Sequence, residues 1–246
     1  MSKHNQYYLK NNKYSDFLER QDLTSFAKYA DFTKKYLKIS GLFLDVGCGT
    51  GLVLKLLKNS GIKAMGIEVS KTSVAKCKKK KLNANHYDGE NIPFKDKHFN
   101  MVGSFNVLEH TDNPNKFLDE QYRVLKTDGY LIIACPNFLS VTNGYHWHTS
   151  GFLRKIKNFT QIINKSVFSN LYFDKMNIVK REDFHVDDDA CNITNPMDIF
   201  KWARMKKLDL EYWSSQEQDV NGIKKILDRG FFRYFLGASF MVFIKK

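Results

Sequence analysis

Between residues 42 and 135 this chain alternates short apolar runs with amphipathic stretches, and that alternation limits the fold more than any other feature. Residues 42–46, Leu-Phe-Leu-Asp-Val, are almost wholly apolar, as a strand buried on both faces must be. A glycine loop at 47–51 leads into a helical stretch that ends near Asn59. Residues 63–67 read as a second strand, 70–82 as a helix with Ser70 as its N-cap, and His86-Tyr87 as part of a short third strand. Residues 99–105 read as a fourth strand. Asn113, with Pro114 at the first helical position, opens a helix to about Lys126. Asp128-Gly129 reads as a turn, and 130–135 as a fifth strand stopped by Pro136. Strands that return through helices pair parallel, so the pattern predicts an α/β fold with a doubly wound, Rossmann-like, mostly parallel sheet.

Before this core, apolar residues recur at helical spacing from Leu23 to Leu37, and residues 1–40 form a helical N-terminal segment. After Pro136 the alternation stops. Residues 137–195 are aromatic, Asn-rich and His-containing, and read as a lid or cap inserted after the fifth strand. Residues 196–207 read as a helix. Residues 208–213 and 238–245 read as two strands pairing antiparallel at the sheet edge, which brings the sheet to seven. The organisation expected is therefore 1–40, a ligand-binding core at 41–136, the insertion at 137–195, and 196–246 completing the sheet.

Composition narrows the function classes. A chain of 246 residues, 43% hydrophobic and 26% charged, can bury a full core and is no disordered polymer. No apolar run reaches the ~18 residues of a transmembrane helix. The longest candidate, 231–244, is broken by Arg233, Gly237 and Ser239. The polar start, 1–5, lacks an apolar signal core, so a cytoplasmic protein with no membrane span is expected. Cys48, Cys77, Cys135 and Cys191 form no CxxC pair, which argues against a disulfide scaffold or a Cys-rich zinc site. The net charge of +13 suits nucleic acid, an anionic surface or an acidic substrate. It also suits a genome rich in A/T codons, because most of it is Lys and because Asn, Phe, Ile and Tyr abound too. The densest run, 76–81, reads as the solvated face of a helix.

The chemistry concentrates at Leu44-Asp45-Val46-Gly47-Cys48-Gly49-Thr50-Gly51, where the first strand gives way to a helix. In a doubly wound sheet this is where ligands bind. Glycines admit a ligand close to the backbone, and the helix start offers free N–H donors. A phosphate-binding P-loop would need Gly-Lys-Ser/Thr, but Leu52-Val53 follow Gly51. A dinucleotide fingerprint would need Gly at position 52. What stands here is GxGxG, with Glu68 closing the second strand, where a carboxylate can accept both hydroxyls of a ribose.

With these residues the sequence resembles the class I S-adenosylmethionine-dependent methyltransferases, in their type 11/23-like branch, over about residues 40–136. The resemblance rests on 44–51, Gly66-Ile67-Glu68, Asp88-Gly89-Glu90-Asn91-Ile92-Pro93-Phe94, Phe99-Asn100-Met101-Val102, Asn106-Val107-Leu108-Glu109-His110 and Leu125-Lys126-Thr127-Asp128-Gly129-Tyr130-Leu131. Asn100 stands where the family usually has Asp, a departure read as structural. The resemblance implies S-adenosyl-L-methionine as cofactor. Asp45, Gly47, Cys48, Gly49 and Gly51 would lie along its methionine portion, Glu68 would hold the ribose, and Val69 would pack on the adenine. Asp88 and Gly89 would meet the adenine edge, and Asn106 and Leu108 would line the floor under the sulfonium.

An oxygen acceptor needs a base, and His110, after the fourth strand, is the candidate; a capping or structural role is the alternative. In the insertion, His146, His148, His185 and Asp187 read as acceptor-binding residues rather than metal ligands, so no metal is expected. Tyr145, Trp147, Phe152, Tyr172 and Trp202 add rings suited to sugars, quinones or bases. Segments 185–190 and 195–196 look similar to methyltransferases of bacterial surface-polysaccharide clusters. The expectation is O-methylation of a sugar or related small molecule in glycan or capsule biosynthesis. An RNA- or protein-directed methyltransferase and a non-catalytic binding module stand as alternatives. The partner expected is a small-molecule or sugar acceptor, with nucleic acid kept open by the charge.

Overall fold

The computed structural model describes residues 12–37, 40–138, 140, 160, 164, 173–175, 190–215, 226, 228 and 230–246. Helix α1 (Asn12–Glu19) and a 3-10 turn (Leu23–Phe26) precede α2 (Ala27–Tyr36). The core then alternates β1 (Leu42–Val46), α3 (Leu52–Asn59), β2 (Lys63–Glu68), α4 (Lys71–Lys79) and β3 (Ala84–His86). It continues with β4 (Phe99–Phe105), a 3-10 turn (Leu108–His110), α5 (Pro114–Val124) and β5 (Leu125–Pro136). Beyond the core come a small ribbon of β6 (Asp174–Lys175) and β7 (Asn192–Ile193), then α6 (Pro196–Met205), β8 (Leu208–Ser214) and β9 (Ala238–Lys245).

The main sheet has seven strands in the order β3-β2-β1-β4-β5-β9-β8. The pairs from β3 to β5 are parallel, and β9 runs antiparallel to both neighbours. The last two strands therefore do pair antiparallel, but β9 enters between β5 and β8 and leaves β8 at the edge. Successive residues alternate between the two faces. Phe43, Met101, Ile132, Phe240 and Val242 pack with Tyr29, Val53 and Leu57 of α2 and α3. Leu44, Val102, Leu131, Ile133, Met241 and Phe243 pack with Phe117, Leu118, Ile199 and Trp202 of α5 and α6. The sheet is thus covered on both sides, which is why its strands read as continuous apolar runs.

Caps form at Ser70 and Asn113, where the sequence places them, and at Asn195 before α6. Ser70 Oγ accepts from Ser73 N–H at 3.2 Å, Asn113 Oδ1 from Lys116 N–H at 3.0 Å, and Asn195 Oδ1 from Asp198 N–H at 3.0 Å. Asn100, in place of Asp, has a structural role: its Oδ1 accepts from Leu42 N–H and Lys126 Nζ, each at 3.2 Å. Three local readings change. The third strand is Ala84–His86, which leaves Tyr87 beyond its end, and α5 stops at Val124. The Asp128-Gly129 turn lies inside β5, where Asp128 has φ 61° and the register against β4 slips. That is a bulge rather than a break, because β4 pairs on both sides of it. Trp202 is not acceptor-facing surface: it is 1% exposed, and its Nε1–H donates to Asp119 Oδ1 at 2.8 Å.

Candidate functional site

β1 is flanked by β2 on one side and β4 on the other, so the chain reverses direction across the sheet there. The carboxyl ends of β1, β2 and β4 open into a crevice at this switch point. It encloses about 570 Å³ when the open space at its mouth is counted. Of the residues singled out from sequence, Gly47, Glu68, Val69, Gly89, Asn106 and His110 line it. Tyr14, Tyr87, Val107, Thr111 and Asp112 line it as well and were missed. Thr111 and Asp112 directly follow the Glu-His motif, so extending that motif would have found them. Tyr14 carries no local signal, because only packing brings α1 to the crevice.

Glu68 is 4% exposed and braces the site. Its Oε2 accepts from Gly49 N–H and its Oε1 from Ser70 N–H, both at 2.9 Å. The carboxylate therefore ties the glycine loop to the start of α4, and with Val69 N–H as a third donor it keeps about one of its roughly four lone-pair sites for a ligand hydroxyl. Burial pushes its carboxyl up from the usual range, and the N–H groups of Ser70, Gly49 and Val69 pull it back. Asp45 lies below the crevice, 3% exposed, and accepts from Tyr29 Oη–H at 3.1 Å. Burial pushes Asp45 up to about 7; Tyr29 opposes that shift and the charge of Glu68 adds to it.

The glycines differ in what each makes room for. Gly47, at φ 79°, lines the crevice, and a Cβ there would sit 2.4 Å from Val107. A Cβ on Gly49 would meet Leu18 of α1 at 2.7 Å. Gly51 turns toward α4, where a Cβ would meet Leu82 at 2.6 Å and Cys77 at 2.9 Å. Cys48, 8% exposed, packs in a small cluster with Leu54, Cys77, Leu82 and Ala84. Leu108 is fully buried in the main core. The Asp88 carboxylate organises the turn beneath Gly89, accepting from Glu90 N–H at 2.8 Å and from Asn91 N–H at 2.7 Å. Asp45, Cys48, Gly49, Gly51, Asp88 and Leu108 are thus not among the residues that line the crevice, and Asp88 is exposed.

Asn106 stands at the tip of β4 in the left-handed region, φ 53°, and its buried Oδ1 has no hydrogen-bond partner among the described residues. Such strain and such an orphaned acceptor accumulate where a ligand completes the site. His110 lines the crevice with its side chain 13% exposed, and its Nε2 lies 3.6 Å from Oε1 of the fully buried Glu109. The 107–111 loop is held from behind by Asn192, whose Nδ2–H₂ group donates to Leu108 O at 3.2 Å and Glu109 O at 3.3 Å. Residues 190–195 are thereby bound to the catalytic side of the sheet. His146, His148, His185 and Asp187 lie outside the described residues.

A methyltransferase-domain family profile matches residues 44–133. An uncharacterized protein of Methanocaldococcus jannaschii is 31% identical over 212 residues, covering 80% of this chain and 79% of that one. The chain belongs to the class I S-adenosylmethionine-dependent methyltransferases. S-adenosylmethionine is the cofactor of this methyltransferase. The mitochondrial ubiquinone biosynthesis O-methyltransferase of Dictyostelium discoideum is 32% identical over 129 residues, 43% of this chain and 39% of that one. The methyltransferase therefore spans less than half the length of that relative. Among solved structures, a chain of the complex between the Haloferax volcanii Trm112 methyltransferase activator and a methyltransferase matches with a TM-score of 0.61. That match has 15% identity and covers 99% of this chain and 98% of the other, a likeness of fold. The crevice fits the cofactor on its own evidence, with a buried carboxylate for hydroxyls, backbone without Cβ at Gly47 and an unpartnered amide oxygen at Asn106.

Proposed function

We propose that this methyltransferase methylates a hydroxyl oxygen of a small acceptor, a sugar or related molecule of the kind used in surface-glycan or capsule assembly. The observation that carries the reading is His110 on the crevice wall beside the buried Glu109. The cofactor supplies an electrophilic methyl group on a sulfonium, so the protein's task is alignment and proton removal. Glu68, Gly47, Val69 and Gly89 are the residues proposed to hold the cofactor, with Asp45 and Gly49 fixing the loop from behind. His110 takes the acceptor proton as its oxygen becomes nucleophilic. The Glu109 carboxylate, 3.6 Å from Nε2, stabilises the positive ring that results through its charge. Thr111 and Asp112 add polar groups suited to further acceptor hydroxyls. The insertion, with His146, His148, His185 and Asp187, is proposed to complete the acceptor pocket.

A second reading is a phenolic or quinol acceptor, favoured by the ubiquinone biosynthesis O-methyltransferase relative. Both readings need the same base. A nucleic-acid acceptor is favoured only by the +13 charge, and it predicts retention on RNA that falls steeply with salt. Turnover assays with nucleotide sugars, sugar phosphates and catechols separate the readings. In any of them His110→Ala should lower kcat by roughly 10²- to 10⁴-fold and leave cofactor affinity nearly intact. Turnover within a few-fold of wild type would make His110 structural.

A further inference from the structure

The run of lysines at 76–81 is not simply a solvated face. Lys76 Nζ lies 2.6 Å from Asp16 Oδ1 and 3.0 Å from Glu19 Oε2, and Lys80 Nζ lies 2.9 Å from Glu19 Oε1. Lys76 of α4 and Lys80 at its C-cap thus face two anions of α1. Lys80 also donates to Thr50 O at 3.2 Å, so it touches α1 and the glycine loop together. On the same helix Tyr14 lines the crevice, and one turn later Leu18 occupies the space over Gly49. An eight-residue helix does not persist alone in water, so α1 depends on these contacts for its position.

We infer that α1 is a movable wall of the cofactor site: Tyr14 contacts the bound cofactor, and the Asp16/Glu19–Lys76/Lys80 charge clasp holds it closed. The inference rests on the crevice being the cofactor site. Tyr14 is then a binding residue, and the four charged residues are positioning residues that act through it. The ion pairs are part-exposed, which suits a gate: each is worth only about 0.2–1 kcal/mol, enough together to bias α1 closed and too little to lock it. Cofactor exchange would require α1 to part from α4, so its rate should rise with ionic strength, which screens exposed pairs.

The test is the dissociation rate of S-adenosylhomocysteine from the full chain, followed by stopped-flow displacement at low and high salt. Wild type should release it severalfold faster at high salt. Lys76→Glu sets three anions against Lys80 and should speed release at low salt by about 5- to 10-fold and abolish the salt effect. Adding Asp16→Lys rebuilds two opposite pairs and should return the rate toward wild type. Tyr14→Ala should also speed release while keeping the salt effect. If both single variants release the ligand within two-fold of wild type, or if Asp16→Lys fails to rescue, α1 is not a clasped gate. If calorimetry shows no binding to wild type at all, the crevice reading falls and this inference with it. Normal affinity with unchanged rates defeats this inference alone.

Discussion

At the scale of single residues, two buried acids raise each other's cost of ionisation: Glu68 on the crevice lining and Asp45 nearby in β1. Asp45 is pushed up to about 7, chiefly by burial, while its unfolded value stays near the ordinary range of about 4. An acid raised in this way stabilises the fold fully at low pH. The contribution is lost as pH climbs from about 4 to about 7, with a span on the order of 4 kcal/mol. Glu68 is shifted in the same direction. Cofactor-free protein should therefore be less stable to urea at pH 7 than at pH 5. Asp45→Asn, which cannot ionise, should flatten that slope, and an unchanged slope would remove Asp45 as its source. Asn192 belongs to this scale too. Asn192→Ala removes the buried amide that donates to the carbonyls of residues 108, 109 and 111 and ties them to β7, so we expect a stability loss of about 1–3 kcal/mol. Turnover should fall with it, because the same loop carries His110, while calorimetry should find cofactor affinity close to wild type.

At the scale of elements, the glycine loop divides its labour. Gly51 caps α3 at φ 82° and meets α4 rather than the crevice. Gly51→Ala combines a left-handed alanine, about 1–2 kcal/mol, with overpacking against Leu82 and Cys77, about 1–3 kcal/mol. Thermal denaturation should show that loss, and the folded fraction should still bind S-adenosylhomocysteine. A variant of normal stability that cannot bind would instead put Gly51 against the cofactor. The motif treats all three glycines alike. Their separate tasks depend on which neighbour each faces, Val107, Leu18 or Cys77, and those neighbours come from three other elements.

At the scale of the whole molecule, the proposed cofactor site draws on β1, β2, β4 and α1, segments that are apart in the unfolded chain. Binding should stabilise the fold by mass action, about 2.7 kcal/mol at a ligand concentration of 100 Kd. For a chain of this size that corresponds to a rise in Tm of roughly 5–10 °C. S-adenosylhomocysteine should give this shift and adenosine a smaller one. No shift with either would contradict the site.

The sequence by itself determined the layered sheet, the position of the crevice and the cofactor, because each is written in local terms. Runs apolar on both faces make buried strands, Ser70 and Asn113 cap their helices, and GxGxG and Glu68 stand at adjacent strand ends. Tertiary structure decided what depends on contacts between distant segments. It placed β9 between β5 and β8, a choice of pairing that no local propensity encodes. It buried Trp202, because Asp119 of another helix satisfies its N–H. It set Asn192 behind His110, 83 and 84 positions from the carbonyls of residues 109 and 108 that it holds. It also drew α1 over the glycine loop through charges whose partners lie about 60 positions along the chain. Spacing within a segment records which face a residue takes, but the segment that will meet that face is chosen only when the chain folds.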